Sequence, residues 1–188
     1  MRKLIAVALL PVLSGCLSAS TPKVTQWLLE YRGPGKATRM PKYDVGRVSQ
    51  VLVRSPYNEV GIAVLRADGS VAFDPYNEYA ANPTAMLKGF VFDAMDGSGL
   101  FGTVVNPSSS VKSQAMTEVL ISRLALDCRQ EGVRKAVASV RVRILTDAER
   151  ALCAQGEGEA DAKDGNYGAA FSAALSAALN SAFGQFRR

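Results

Sequence analysis

Apolar side chains recur every second residue along most of this chain and every third or fourth residue in two stretches, which predicts strands with two helices. Gln26–Tyr31 reads as a short first strand, and residues 32 to 47 as a basic loop. Val48–Arg54 reads as a strand that Ser55-Pro56-Tyr57-Asn58 stops. Gly61–Arg66 and Ser70–Phe73 flank Ala67-Asp68-Gly69, and Asp-Gly between apolar runs is a strong hairpin signal. After Asp74-Pro75-Tyr76-Asn77-Glu78-Tyr79, Asn82 is a good N-cap and Pro83 suits a first helical position. The stripe Met86, Leu87, Phe90, Val91, Ala94, Met95 then gives one apolar helix face, which Gly97 and Gly99 end.

Leu100–Val105 is a further short strand, and Thr117–Cys128, Val133–Leu145 and Arg150–Asp161 form a meander. In the second of these, Ala138, Val140, Val142 and Ile144 alternate with Ser139, Arg141, Arg143 and Leu145, so one face is buried and the other polar. Asp164-Gly165-Asn166 caps a terminal Ala-rich helix with Tyr167, Phe171, Ala174, Leu175, Ala178, Leu179, Ala182, Phe183 and Phe186 on its apolar stripe. Ser172, Ser176, Asn180 and Ser181 argue against that helix spanning a membrane. The order of elements fits an α/β class, a single layered domain with helices packed on a mixed sheet.

Candidate chemistry changes little in this picture. Asp68 is explained by its turn. Arg141 and Arg143 are expected near Glu157, and a calcium site from Glu157, Glu159, Asp161 and Asp164 lacks the Asp-x-Asp-x-Asp-Gly loop. The chain has 188 residues, 48% hydrophobic and 21% charged, the balance of one globular domain. It contains no His, which removes the commonest general base and metal ligand. Ser109-Ser110-Val111-Lys112 places a Ser beside a Lys on a polar loop, and Gly97-Ser98-Gly99 is a helix stop. Without a Gly-x-Ser-x-Gly, phosphate loop or Rossmann fingerprint, no enzyme, metal or cofactor is expected. The formal net charge is +5, and 22 basic residues less Arg2 and Lys3 of the N-terminal leader leave 20 against 17 acidic, a net of +3 that is too mild for a nucleic-acid partner.

The most specific signal lies at the start. Met1-Arg2-Lys3 is a positive segment, Leu4–Leu13 an apolar run too short to span a bilayer, and Leu13-Ser14-Gly15-Cys16 follows at once. Small residues directly before a Cys resemble the lipobox of bacterial lipoproteins. That resemblance implies a signal peptide over residues 1–15, cleavage between Gly15 and Cys16, acylation of Cys16, and a tether over residues 16–25. Leu17 after the Cys, where lipoproteins kept at the inner membrane typically have Asp, implies the outer membrane facing the periplasm. Several acyl chains on one residue give stable anchoring. Cys128 and Cys153 would then lie in an oxidising compartment that invites a bridge. A simple meander instead places them near opposite ends of neighbouring hairpins, and each is otherwise expected to be a small buried residue.

With these features in place, the chain resembles the ABC-type transport auxiliary lipoproteins, a family that includes the lipoprotein of the paraquat-inducible membrane-integrity system. The resemblance runs from about Trp27 to the end. It is carried by Val51-Leu52-Val53-Arg54-Ser55-Pro56-Tyr57, Phe73-Asp74-Pro75-Tyr76-Asn77-Glu78-Tyr79, Leu124-Ala125-Leu126-Asp127-Cys128 and Asp164-Gly165-Asn166-Tyr167. Relatives often carry Trp where this chain has Tyr79. The resemblance implies an anticodon-binding-domain-like or TolB N-terminal-like fold with helices on both faces of the sheet. It also implies a non-catalytic subunit working with an ABC permease, its ATPase and a mammalian-cell-entry-type protein in lipid transport, at the outer-membrane end; because a conduit needs a ring or cap at its end, a homo-oligomer of no stated size is compatible with that role. A structural envelope lipoprotein tied to no transporter is the alternative. A partner surface is expected at Ser55, Pro56, Tyr57, Pro75, Tyr76, Asn77 and Tyr79, because Tyr is favoured at interfaces; equally, these aromatics could staple the hairpin to the first helix.

Overall fold

The computed structural model describes residues 23–33, 35, 40–146, 151–163 and 165–187. Among them the chain forms β1 (Thr25–Trp27), β2 (Tyr43–Val53), β3 (Gly61–Arg66), β4 (Val71–Tyr79), α1 (Pro83–Gly97), β5 (Phe101–Val105), β6 (Ala115–Cys128), β7 (Lys135–Thr146), β8 (Ala151–Asp161) and α2 (Tyr167–Gln185). The eight described strands join into one mixed sheet, the α/β class that the pattern predicts. The signal segment 1–15, Cys16, residues 17–22 of the tether and Asp164 lie outside the described residues.

β6 is the spine. One of its edges pairs antiparallel with β7, which pairs antiparallel with β8. Its other edge is shared: β2 runs parallel to Ala115–Ile121, and β3 runs parallel to Leu126–Cys128. β2 and β3 thus fill one strand position interrupted by the turn 54–60. Each piece carries a wing. β5 lies parallel to β2 from Tyr43 to Arg47, while β4 lies antiparallel to β3 and receives β1 in parallel at Asn77–Tyr79.

Strand alternation sorts the sheet into two faces. Val48, Val51 and Val53 of β2 line up with Thr117, Val119 and Ile121 of β6, and these with Ile144, Val142 and Val140 of β7; all are buried. Both helices cover this face. α1 packs on β2 and β5, α2 packs on β7 and β8, and the helices touch each other. The resemblance implies helices on both faces; here they lie side by side on one, and the opposite face is left open to Arg141, Arg143, Gln155 and Glu157. The pattern is periodic in each helix but carries no information about which side of the sheet a helix takes.

α2 lies close to the sheet because β8 presents glycine inward. A Cβ on Gly156 would stand 1.9 Å from the Ala178 carbonyl oxygen, and one on Gly158 2.0 Å from that of Ala174. The helix is buried on a second side too. From Leu28 the chain leaves β4 and runs along α2, where Ser172 Oγ accepts the Glu30 N–H at 3.0 Å and Ser176 Oγ accepts the Arg32 N–H at 2.8 Å. Those backbone donors explain two buried serines, and they end β1 at Trp27 rather than at Tyr31. Tyr31 then bridges the helices, with its hydroxyl 2.6 Å from Asn180 Oδ1 and its ring edge-on to Phe90 at 5.7 Å.

Other expectations hold locally. Asn82 Oδ1 accepts the Thr84 N–H and Asn166 Oδ1 accepts the Ala169 N–H, so both helices start at their caps. Gly69 takes φ +82° in the β3–β4 hairpin, where Asp68 accepts the Ser70 N–H at 2.9 Å and its carboxyl is held below the usual range. Three expectations are corrected. β2 begins at Tyr43, inside the expected loop, because Tyr43 stacks on Phe101 of β5 at 5.8 Å. β4 continues through Pro75 to Tyr79; Pro75 is tolerated there because β1 covers only Asn77–Tyr79, leaving the preceding edge without a strand partner among the described residues. Arg141 faces Gln155 and lines one recess with Glu157, as expected, but Arg143 faces Cys153 and pairs with Glu118 at 3.3 Å, while Glu157 pairs with Arg123 of β6 at 3.4 Å.

Cys128 and Cys153 are free, and Cys153 is exposed rather than buried. Register explains the separation. Cys153 faces Arg143 of β7, while Asp127, beside Cys128, faces Lys135. Eight residues of β7 at about 3.3 Å each lie between those levels, far beyond the reach of a disulfide.

The glycine contact makes a direct prediction. Gly156→Ala and Gly158→Ala should each destabilise the fold by about 1–3 kcal/mol, since the obstructing atoms are helix backbone. Gly184→Ala, in α2 with nothing within 4 Å of its added methyl, should be stabilising by about 0.5–1 kcal/mol. Urea denaturation of the three variants checks both signs.

Candidate functional site

The turn 54–60 is tied to the end of β4 and the start of α1. The Tyr79 N–H donates to the Val60 carbonyl at 2.8 Å, and Asn82 Nδ2 donates to the Asn58 carbonyl at 3.1 Å. The two expected segments are therefore neighbours, yet their side chains do not share a surface. Ser55 and Pro75 are exposed, and Pro56 is half-buried after a cis peptide. Tyr57 is half-buried against Ala63, Ala125 and Val137. Tyr76 is 55% exposed, whereas Tyr79 is 1% exposed and meets Phe171 of α2 edge-on at 5.7 Å. Strand alternation places Tyr76 and Tyr79 on opposite sides of β4, so Tyr79 is a core residue and leaves the expected partner surface. Its hydroxyl is buried without a partner, and burial pushes the phenol well above its ordinary range. Asn77 is engaged as well, accepting from Trp27 Nε1 at 2.9 Å and donating to Asp74 at 3.1 Å.

A different feature offers space for a partner. β5 covers β2 only as far as Arg47, so from Val48 onward the β5-side edge of β2 has no strand partner among the described residues. Beside that edge lies a cleft of about 660 Å³, walled by β2, by Gly89, Phe92 and Lys88 of α1, and by Asn106-Pro107 beyond β5. Phe92 is half-buried, Leu52 is 45% exposed, and a Cβ on Gly89 would meet nothing within 4 Å. An unpaired strand edge next to an apolar recess is what an extended peptide needs: backbone partners for its main chain and a pocket for alternate side chains. In the sequence, the only trace of this groove is that Leu100–Val105 is short beside its neighbours.

The loop that closes one end of the cleft is firmly held. Arg47 reaches from β2 to the carbonyls of Pro107 at 2.9 Å and Ser109 at 2.8 Å, to the carbonyl of Val111, and to Ser113 Oγ at 3.3 Å. The Ser109–Lys112 segment belongs to this loop, and Ser109 Oγ accepts the Val111 N–H at 3.2 Å. Burial pushes the Cys128 thiol up, which keeps it protonated and poorly nucleophilic. The β8 carboxylates face cations one by one, Glu159 with Lys135 at 2.8 Å and Asp161 with Lys163 at 3.5 Å. Among the described residues no three metal-ligating side chains converge, and no helix is long and apolar enough to cross a membrane.

No family model matches the chain, and no curated protein matches it. Among solved structures it is similar to a Xanthomonas campestris protein of the family-model DUF330, with 16% identity over 87% of this chain and 98% of that one, and a TM-score of 0.63. It is also similar to an uncharacterized protein, with 14% identity over 88% of this chain and 94% of that one, and a TM-score of 0.59. Identities this low establish a shared fold and nothing finer.

The placement of Tyr79 is testable. Tyr79→Phe removes a buried hydroxyl that lacks a partner and should leave stability unchanged or raised. Tyr79→Ala should cost about 3–5 kcal/mol through the cavity it opens under α2. Thermal and urea unfolding of the pair distinguish this core role from a surface one, for which both changes would be nearly silent.

Proposed function

We propose that this protein is an acylated, non-catalytic docking subunit held at the outer membrane, facing the periplasm, in an ABC-type lipid-transport system. The observation that carries the reading is Leu13-Ser14-Gly15-Cys16 behind a short positive and apolar leader, set ahead of a single α/β domain. The open edge of β2 supports it, since a docking subunit needs a surface that accepts another chain. The occupant we assign to that groove is an extended segment of the mammalian-cell-entry-type partner, laid along Val48–Leu52 in line with β5.

The physical need for such a subunit is plain. Exposing an acyl chain to the aqueous periplasm costs about 0.8 kcal/mol per CH₂, so lipid requires a shielded path whose far end is held at the receiving membrane. Acylated Cys16 on its tether provides the hold, and copies of the chain around the conduit's end would close it.

Gly89 supplies the test. Gly89→Arg fills the groove from an exposed helical position and should leave the thermal midpoint unchanged or raised. Pulldown of the acylated protein from envelope extracts, with mass spectrometry of the partners and the mature N-terminus, should recover permease, ATPase and mammalian-cell-entry-type protein. Gly89→Arg should reduce that recovery at least tenfold. Acylated Cys16 with only structural envelope proteins would leave the scaffold reading, and an unacylated N-terminus would overturn the anchor.

A further inference from the structure

On the open face of the sheet, opposite the helices, a recess of about 270 Å³ is lined by Arg54, Arg123 and Arg141. They come from three strand positions. Arg54 follows β2 and donates its N–H to the Ile121 carbonyl at 2.9 Å; Arg123 faces Ser139, and Arg141 faces Leu120 and Gln155. A β-bulge between Ile121 and Arg123 inserts Ser122, and such a bulge re-aims the side chains beside it. It lies where β2 stops and β3 has not begun, so the recess sits in the notch of the interrupted strand position.

The charge balance of the recess is unusual for this face. Three other cations of the sheet each have a carboxylate: Lys135 has Glu159, Arg143 has Glu118, and Arg129 has Asp127. Against three arginines the recess-lining residues include a single carboxylate, Glu157, which is bound by Arg123 at 3.4 Å and by Ser139 Oγ at 3.3 Å. Arg54 and Arg141 have no ion-pair partner among the described residues. Like charges gathered in one recess repel unless an anion joins them, and guanidinium forks match phosphate oxygens two at a time. Gln155 also lines the recess, and its side-chain amide offers a donor without charge.

We infer that Arg54, Arg123 and Arg141 form a binding site for a phosphate group, with Gln155 as an auxiliary donor and Glu157 as a built-in competitor for Arg123. The phosphate can come from a phospholipid headgroup or from a free phosphate. The site stands apart from the transport reading, because a scaffold without partners would bind phosphate here equally well.

Calorimetric titration of the purified acylated protein in a neutral detergent tests it, with inorganic phosphate and short-chain phosphatidylglycerol as separate probes. Saturable binding should weaken at least about tenfold in Arg123→Ala and in Arg141→Ala, the effect of losing a charge-assisted contact. Glu157→Gln should tighten it. Arg143→Ala, on the same face but paired outside the recess, should change it less than twofold, which separates a site from diffuse surface charge. Unchanged thermal midpoints confirm that the variants fold. Binding of phosphatidylglycerol through these arginines identifies a headgroup site; binding of inorganic phosphate alone identifies a free-phosphate site. Saturation by neither probe, or affinities indifferent to Arg123→Ala, would overturn the inference.

Discussion

A helix backbone that lies where a Cβ would otherwise stand is the constraint from which most of this architecture follows. Gly156 and Gly158 let α2 settle onto β7 and β8 through Ala174 and Ala178. Because that contact uses small residues, the far side of the helix can bring Ser172 and Ser176 within reach of the Glu30 and Arg32 N–H groups. The segment so captured carries Tyr31 to Asn180 and Phe90, which sets the spacing of α1 from α2. α1 in turn supplies Gly89 and Phe92 to the groove beside β2. A methyl group added at β8 would therefore be felt at a cleft on another part of the sheet.

The interrupted strand position beside β6 is the second organising feature. An unbroken strand from Tyr43 to Arg66 would pair along the whole of that edge. Instead the turn 54–60 leaves the sheet, β2 and β3 acquire separate wings, and a notch opens between them. On the helix side, the edge of β2 beyond β5 becomes a groove. On the open side, the bulge at Ser122 and the emergence of Arg54 gather three guanidiniums. The arginine recess thus arises from this interruption, whereas the groove follows from where β5 stops along β2.

Local chemistry was legible in the amino-acid sequence, and long-range placement was not. The caps at Asn82 and Asn166, the turn at Gly69 and the alternation along β7 are short-range signals that tertiary packing had no reason to override. β2 was harder to read because Gly46 and Arg47 sit in its middle; the charge of Arg47 is answered by carbonyls about sixty residues away. β4 looked like a lead into the helix because Pro75 is rare in strands, and it is acceptable there because, among the described residues, the β1-side edge of β4 has a strand partner only at Asn77–Tyr79. Tyr79 looked like surface for the same reason, since its burial depends on β4 remaining a strand. The groove depends on where β5 stops relative to β2, a register that no single segment encodes. The arginine recess joins residues from β2, β6 and β7 whose own neighbours in sequence are unremarkable.

One feature at the sheet's margin has a mechanical meaning. The chain enters the fold through β1, three residues held to β4 and reinforced by the Trp27–Asn77 bond, and then by two serine hydroxyls on α2. A pull arriving from the N-terminal side is therefore taken first by this short strap rather than by the β6–β7–β8 core. Under such a pull the β1 ladder would be loaded before the serine contacts, which lie further along the chain. Such an attachment would release the N-terminal side in stages before the sheet itself is loaded.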